Sequence, residues 1–490
     1  MAKKRTGIKD ASLFETGAYI DGIWVSADSG ETYDVENPAT GKVIAKVASC
    51  GTAETRRAIK AAQAALPGWQ KMSAKERGKI LRKFFELMMD AQEDLAKIMT
   101  LEQGKPLSES RGEIAYGASF IEWFAEEAKR IYGDTIPGPN NDTRIVVLRQ
   151  PIGVVACITP WNFPNAMLAR KIAPALAVGC TVVCKPANAT PLSANAFAVL
   201  AERAGIPKGV INIVSGKTSE IGAEITSNPI VRKLTFTGST PVGKKLVKDC
   251  ADTMKRTSME LGGNAPFIVF DDADIDEAVR GAIICKFRNA GQTCVCANRI
   301  LVQDGIYDEF AKKFAKAVRQ LKVGDGMQDG VDIGPLINEG AASGVLEFIT
   351  DALDNGAKAT IGGKRSKLGS CFIEPTVLTN VNKKMRVFRE EIFGPVAPLF
   401  RFKTEKEAIR LANDTQFGLA SYFYARDVGR IWRVGEGLEY GIVGINTGLI
   451  SNEMAPFGGV KESGQGREGS KYGVDDYLEM KYMCVGGVES

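Results

Sequence analysis

Between residues 153 and 240 the chain repeats one pattern. Short apolar runs, GVVACIT, CTVVCK, VINIV and KLTF, alternate with helical stretches such as NAMLARKIAPALAVG and SANAFAVLAERAG. Such alternation argues for a parallel sheet with helices on both faces. A second alternating stretch begins near FIVF (267–270) and runs through RILVQ (299–303), so two α/β units follow in tandem. Upstream, residues 73–103 read as one helix. Ser73 and Glu76 offer a capping box, Leu81, Phe84, Phe85 and Met88 line one face, and Gly104 with Pro106 ends it. TRIVVLRQ (143–150) and DYLEMKYMCVG (476–486) are strand-like and fit neither unit. They can pair as a projecting sheet that holds protomers together.

A chain of 490 residues has room for roughly three domain-sized units. With 44% apolar and 25% charged residues it can bury a large core. The net charge of +5 over this length points to neither nucleic acid nor a membrane surface as partner. The start, MAKKRTGIKDASLF, is basic without an apolar run behind it and does not read as a secretory leader. KIAPALAVGCTVVC (171–184) is too short to span a bilayer and reads as a buried helix followed by a buried strand. Ten scattered cysteines form no C-x₂-C pair, several interrupt apolar runs, and a reducing cytoplasm is the compartment they suit.

The chain has no histidine. This removes Ser-His-Asp and Cys-His hydrolases, haem on a proximal histidine and most catalytic zinc sites, and no metal centre is expected. A general base near neutral pH must then be a carboxylate, lysine, tyrosine or thiolate.

The one literal G-x-G-x-x-G, GQGREG at 464–469, has fewer than 25 residues after it, too few for a βαβ unit. The 153–240 unit makes the better nucleotide site, because ligands bind beyond the carboxyl ends of strands in open α/β sheets. Three loops there carry the chemistry: TPWNFP (159–164), KPANAT (185–190) and FTGSTPVG (236–243). Gly238, Ser239 and Thr240 follow a strand and precede a helix, where small residues admit a phosphate and the helix N-terminus favours its charge. Taken alone, a plain turn fits that loop equally well. Lys185 ends the second strand, where dinucleotide folds read the adenosine ribose. With Asn188 beside it and no acid before Glu202, the loop tolerates a 2′-phosphate and favours NADP, with NAD as the alternative.

In RNAGQTCVCANR (288–299) two thiols sit two apart between arginines, after a Gly-Gln turn. An exposed loop of this kind can stabilise a Cys294 thiolate through backbone N–H groups. MELGGN (259–264) sets Glu260 before a Gly-Gly pair that permits close backbone approach, and a carboxylate there can activate water. The ordinary alternatives are a structural thiol and a surface glutamate.

Together these motifs strongly resemble the NAD(P)-dependent aldehyde dehydrogenases. MELGG and FRNAGQTCVCANR carry the resemblance, with PWNFP, KPA, FTGST, EEIFGPV (390–396) and APFGG (455–459), in family order over about 300 residues. Within the family, FIEWFAEEAKRIYGDTIP (120–137), the C-V-C loop and GREGSKYG (466–473) look most like succinate-semialdehyde dehydrogenase of the GabD type. The resemblance implies a Rossmann-like cofactor domain (1–132 and 151–260), an α/β catalytic domain (261–473) and oligomerisation strands (133–150 and 474–490). It implies Cys294 as nucleophile, Asn162 with the Cys294 N–H as oxyanion donors, and Glu260 as the base for thioester hydrolysis. Thr159, Pro160, Trp161, Asn162, Lys185, Ala187, Asn188, Gly238, Ser239, Leu261, Glu391 and Phe393 would bind the cofactor, Lys185 at the adenosine ribose and Glu391 at the nicotinamide ribose. Asn188 departs from the glutamate of NAD-preferring members and from the serine of GabD-type NADP users.

The implied substrate is an aldehyde with a distal carboxylate, held by Arg170, Arg288 and Ser451, although either arginine alone reads as well as a structural ion pair. Trp161, Phe163, Phe124 and Phe457 would wall its channel, and the unexpected acid Glu453 beside Ser451 would narrow which anion is accepted. Cys296 is the implied partner of Cys294 in a labile disulfide, or else an inert buried thiol. A homo-oligomer is expected. Two rival readings are a thiol hydrolase using the same residues and a non-catalytic nucleotide-binding structural protein.

Overall fold

In the computed structural model, which describes residues 7–488, the 153–240 stretch forms the centre of an eight-stranded sheet. The first six residues, MAKKRT, and the last two of the 474–490 segment lie outside the described residues. Strands β1 (Val154–Ile158), β2 (Thr181–Lys185), β3 (Ile211–Ile213), β4 (Val231–Thr237) and β5 (Arg256–Glu260) are parallel, in the spatial order β5-β4-β1-β2-β3. The order reverses between β1 and β4, which opens a crevice at their carboxyl ends. Helix α1 (Ala166–Val178) follows β1 and is buried at every residue. It stops at Gly179, whose φ of 101° only glycine adopts freely. Helix α2 (Thr240–Cys250) follows β4.

The second sheet has seven strands. β6 (Ala265–Val269) and β7 (Ala297–Gln303) are central and parallel, joined by helix α3 (Ile275–Phe287). Its far edge is Ile442–Ile445. The four residues between β5 and β6 therefore cross from the end of one sheet to the start of the other. The α/β class and the two tandem units of the sequence are both present.

The projecting sheet also forms. Arg144–Pro151 pairs antiparallel with Leu478–Val485 without a slip, and Asp134–Pro137 lies on its other side. The outermost strand leaves Met480 and Tyr482 exposed.

Two local expectations need comment. The single helix over 73–103 is two, Ala74–Asp90 and Gln92–Gln103, broken at Ala91 (φ −91°, ψ 6°). The capping box and the left-handed Gly104 are as expected. Buried Leu81, Phe84, Met88, Leu95 and Met99 keep helical spacing across the join, so the apolar pattern does not mark the break. GQGREG opens no βαβ unit. Gly464–Gln465 pairs with the end of β5, and a Cβ on Gly464 would lie 1.9 Å from the Met259 carbonyl oxygen. Its glycines serve a close crossing of backbones behind Glu260. No described helix is long and apolar enough to cross a membrane.

Candidate active site

A cavity of about 270 Å³ lies between the carboxyl ends of β1 and β4 and the loop that precedes β7. Pro160, Trp161 and Asn162 reach it from the first sheet, with Gly238, Ser239 and Leu261. Arg288, Cys294, Glu391 and Phe393 reach it from the second, and Arg170 and Ser451 complete the predicted set. Thr159, Lys185, Ala187 and Asn188 stand outside it along the ends of β1 and β2, where the Thr159 N–H donates to the Lys185 carbonyl (3.1 Å). Glu260 and Cys296 lie behind its wall.

The thiol loop is shaped by backbone geometry. After α3, Asn289, Ala290 and Gly291 take left-handed φ values of 52°, 55° and 75°, which turn the chain back along the helix end. Cys285 Sγ then donates to the Val295 carbonyl (3.8 Å) and Cys296 Sγ to the Lys286 carbonyl (3.4 Å). The Asn162 amide donates to the Gln292 carbonyl (2.9 Å), and the Ile337 N–H donates to Gln292 Oε1 (2.9 Å). From the other side, a Cβ on Gly263 would lie 2.3 Å from the Cys294 carbonyl oxygen, so only glycine lets the β5–β6 crossing pass. The two arginines that flank the loop do different things. Arg299 is fully buried and donates to the carbonyls of Asn264, Leu411 and Ala412. Arg288 lines the cavity over the Phe163 ring, 5.3 Å from its centroid.

Asn162 is held on its backbone side. Its carbonyl accepts from Lys105 Nζ (2.7 Å) and Asn289 Nδ2 (2.9 Å). Lys105 is paired with Glu113 (2.5 Å), whose other oxygen accepts the Asn165 and Ala166 N–H groups at the start of α1. Only one of the two amide hydrogens of Asn162 is used by Gln292, so the other is free for a ligand oxygen. Among the described residues the Cys294 N–H has no acceptor.

One expectation is corrected here. The Cys294 thiol is half-buried and opens on the cavity, and loss of water around it pushes its pKa up to about 12. Glu391 and Glu260 push the same way, against Arg170 and Arg288. Among the described residues no backbone N–H contributes a hydrogen bond to the Cys294 sulfur. Glu260 is no surface glutamate either: both its oxygens are buried without a hydrogen-bond partner. Burial, with Glu468 adding to it, pushes its carboxyl well above the usual range, against Arg170 and Lys171.

Arg170 and Arg288, read as a pair, differ. Arg170 is 1% exposed, ion-paired with Glu468 (2.8 Å) and stacked 4.0 Å over the Phe457 ring. Lys171 also pairs with Glu468. Burial drives the Glu468 carboxyl upward, but these two cations outweigh it and hold it below its usual value. Arg170 is thus a structural ion pair at the cavity wall. Arg288 has no ion-pair partner among the described residues, and Glu109, whose charge it shares, accepts the Asn289 N–H instead (2.8 Å). Tyr116, with a buried hydroxyl lacking a partner, and Ser451 line the same cavity. Phe163 and Phe457 are wall residues, as is Trp161, edge-on to Phe393 at 5.6 Å. Phe124 is not: it is fully buried in the core against the first sheet.

The residues present fit a dinucleotide. Ser239 caps α2 by position, yet its side chain makes no cap hydrogen bond and remains available to a phosphate. Lys185 Nζ donates to the Pro186 carbonyl and to Asn188 Oδ1 (both 3.1 Å), leaving one ammonium hydrogen unused. Burial lowers its pKa to about 8. Asn188 Nδ2 donates to the Gly216 carbonyl (2.7 Å), so a neutral amide is fixed where a carboxylate would repel a 2′-phosphate.

The model of the aldehyde dehydrogenase family matches residues 24–483. The chain is 63% identical over 481 residues to a glutarate-semialdehyde dehydrogenase of Pseudomonas aeruginosa, covering 98% of this chain and 100% of that protein. It is 62% identical over 479 residues to the succinate-semialdehyde dehydrogenase [NADP(+)] GabD of Escherichia coli, covering 98% and 99%. A crystal structure of succinate-semialdehyde dehydrogenase from Burkholderia pseudomallei superimposes with a TM-score of 0.97 at 62% identity, over 98% of this chain and 100% of that one. The chain belongs to the aldehyde dehydrogenase family.

The raised pKa bears on how readily Cys294 reacts, because the thiolate and not the thiol is the reactive form of cysteine. Sequence reasoning missed Tyr116 and Glu468. Tyr116 is a lone tyrosine in the helix Leu107–Glu127 with no motif around it, and Glu468 sits in the glycine-rich run set aside as a false nucleotide site. Alkylation of Cys294 by iodoacetamide in the free enzyme is expected to accelerate roughly tenfold per pH unit between about pH 7 and 9. A rate that stays flat across that window, read by mass spectrometry of the peptide, would mean that the thiolate is already formed.

Proposed function

We propose that this aldehyde dehydrogenase oxidises succinate semialdehyde to succinate with NADP⁺, and takes NAD⁺ as the alternate coenzyme. The observation that carries the substrate class is Arg288, a cavity cation with no ion-pair partner, beside the Tyr116 and Ser451 hydroxyls and in the same cavity as Cys294. A guanidinium so placed takes a carboxylate in bidentate fashion. Glutarate semialdehyde, one methylene longer, is the second substrate of this reading, since relatives 63% and 62% identical carry the two names.

Cys294 Sγ adds to the aldehyde carbon and gives a thiohemiacetal. The free Asn162 amide hydrogen and the Cys294 N–H hold the oxygen as its charge develops, a contribution of about 3 kcal/mol per donor. The bound coenzyme supplies the hydride acceptor. Cys294 is then left with a thioester. Glu260, whose carboxyl burial raises above its usual range, takes the thiol proton in its ionised form, releases it to solvent through the open cavity once the aldehyde is bound to sulfur, and then takes a proton from the water that attacks the thioester. It does both by rotating toward Cys294. Lys185 would hold the 2′-phosphate, Ser239 the pyrophosphate, and Glu391 the nicotinamide ribose.

The same reading places the enzyme in the cytoplasm as a homo-oligomer. The exposed Met480 and Tyr482 of the projecting sheet, and Ile445 and Leu449 beside the open edge Ile442–Ile445, give the apolar faces for pairing. Light scattering is expected to return a multiple of the 52.7 kDa chain, and a single-chain mass would remove this part.

Arg288→Met is expected to raise KM for succinate semialdehyde by about 50-fold, as loss of a charged hydrogen bond, with little effect on a neutral aldehyde of equal length. Equal losses on both substrates would deny Arg288 the carboxylate. Hydrogen peroxide is expected to oxidise Cys294 to a sulfenic acid, which Cys296 converts to a disulfide after turning from the Lys286 carbonyl. Wild-type activity then returns with dithiothreitol, whereas in Cys296→Ala excess peroxide carries the unprotected sulfenic acid on to sulfinic acid and activity does not return. Equal recovery of both would make Cys296 a bystander.

A further inference from the structure

Lys105 lies in the turn 104–106 between the helices Gln92–Gln103 and Leu107–Glu127, and it is 1% exposed. The turn is pinned from two directions. The Leu107 N–H donates to the Gly326 carbonyl (2.9 Å), and a Cβ on Gly326 would lie 2.4 Å from the Lys105 carbonyl oxygen. The Lys105 N–H donates to Gln103 Oε1 (2.9 Å), and Gln103 Nε2 donates to Asn289 Oδ1 of the thiol loop (3.0 Å). The side chain is fully engaged inside the protein. Its ammonium donates to Glu113 Oε2 and to the Asn162 carbonyl (2.7 Å), and it stands over the Phe163 ring, 4.0 Å from the centroid. Lys105 does not line the cavity, and nothing in the reaction described above uses it.

A buried ion pair adds little to stability, and well-packed apolar side chains in its place are often as stable or more so. What the pair of Lys105 and Glu113 supplies is geometry. Glu113 Oε1 accepts the N–H groups of Asn165 (2.9 Å) and Ala166 (3.2 Å). The pair thus grips the segment 162–166 at both ends, through the ammonium at Asn162 and through the carboxylate at the start of α1. The Asn162 side chain is tied at one point only, by its donation to the Gln292 carbonyl (2.9 Å). Asn289 Nδ2 also reaches the Asn162 carbonyl (2.9 Å), but Asn289 belongs to the thiol loop and moves with it. Among the described residues Lys105 is the donor that fixes the Asn162 peptide from outside that loop. An oxyanion donor acts by standing in place before charge develops, and a misplacement of about 1 Å costs on the order of 100-fold in rate.

We propose that Lys105 is a positioning residue for the oxyanion site: its ammonium, held by Glu113, fixes the Asn162 peptide so that the free amide hydrogen of Asn162 points at the aldehyde oxygen on Cys294. The proposal rests on the reading that Asn162 donates to that oxygen. Lys105 touches neither substrate nor coenzyme and acts through Asn162, so its effect falls on the chemical step and not on the binding of either.

The test is the single-turnover rate of NADPH formation by stopped flow, in full-length enzyme with saturating succinate semialdehyde and NADP⁺. Lys105→Met is expected to slow it about tenfold, while the Kd for NADP⁺ and the half-saturating aldehyde concentration stay within about twofold of wild type. Asn162→Ala is expected to slow it about 100-fold, and Lys105→Met added to Asn162→Ala slows it no further. If Lys105→Met is insoluble because Glu113 is left buried and charged, Lys105→Met/Glu113→Gln is compared with Glu113→Gln alone. Glutamine there is uncharged and still offers an acceptor to the Asn165 and Ala166 N–H groups, and the same tenfold difference is expected. An unchanged rate overturns the proposal, as does a loss confined to the half-saturating concentration of aldehyde. A further tenfold loss from Lys105→Met in the Asn162→Ala background overturns it too, because a merely structural lysine acts independently of the amide. An Asn162→Ala enzyme with the wild-type rate instead removes the oxyanion reading, and the proposal with it.

Discussion

The architecture turns on the place where the β5–β6 crossing passes the thiol loop. Gly263 lies so close to the Cys294 carbonyl that no side chain fits between them. One residue on, the Asn264 carbonyl takes two hydrogen bonds from buried Arg299, at the head of β7. This short stretch brings the carboxyl ends of the first sheet against the leading ends of the second. The cavity exists because the two sheets meet there. Cys294 on the cavity and Glu260 behind its wall, more than thirty residues apart in the chain, come near each other for the same reason.

Burial sets the chemistry of that site. Cys294, Glu260 and Glu391 are all pushed toward their neutral forms by loss of water, and the nearby cations only partly compensate. One unit of such a shift corresponds to about 1.4 kcal/mol, so burial on this scale decides which of these groups carries a charge. A histidine-free chain can therefore run proton transfers near neutral pH with carboxylates alone. The cations are apportioned. Arg170 and Lys171 neutralise Glu468, whereas Arg288 stays unpaired at the cavity.

Much of this was legible in the sequence because it rests on local rules. Apolar runs of the right length marked the strands, the capping box and Gly104 marked helix ends, and two strand-like segments far apart did pair. Motifs located the loops of the cavity because loops at the ends of parallel strands carry the ligand chemistry. What escaped was set by tertiary context. The break at Ala91 leaves the apolar spacing intact. The partner of Arg170 is Glu468, 298 positions away and inside a glycine pattern of other appearance. The Cys294 thiol was expected to be activated by backbone amides, but none donates to it, and its partial burial depends on packing that no short window encodes. Tyr116 stands in ordinary helical sequence, and only the burial of its hydroxyl without a partner draws notice.

The account depends on a single sulfur that carries the acyl group between oxidation and hydrolysis. Acid quenching of the Glu260→Gln enzyme after mixing with NADP⁺ and succinate semialdehyde, followed by peptide mass spectrometry, reads that state directly. A succinyl thioester on the peptide at Cys294, one per released NADPH, is the predicted result. An unmodified Cys294 with NADPH still formed, or turnover that survives Cys294→Ala, would contradict it.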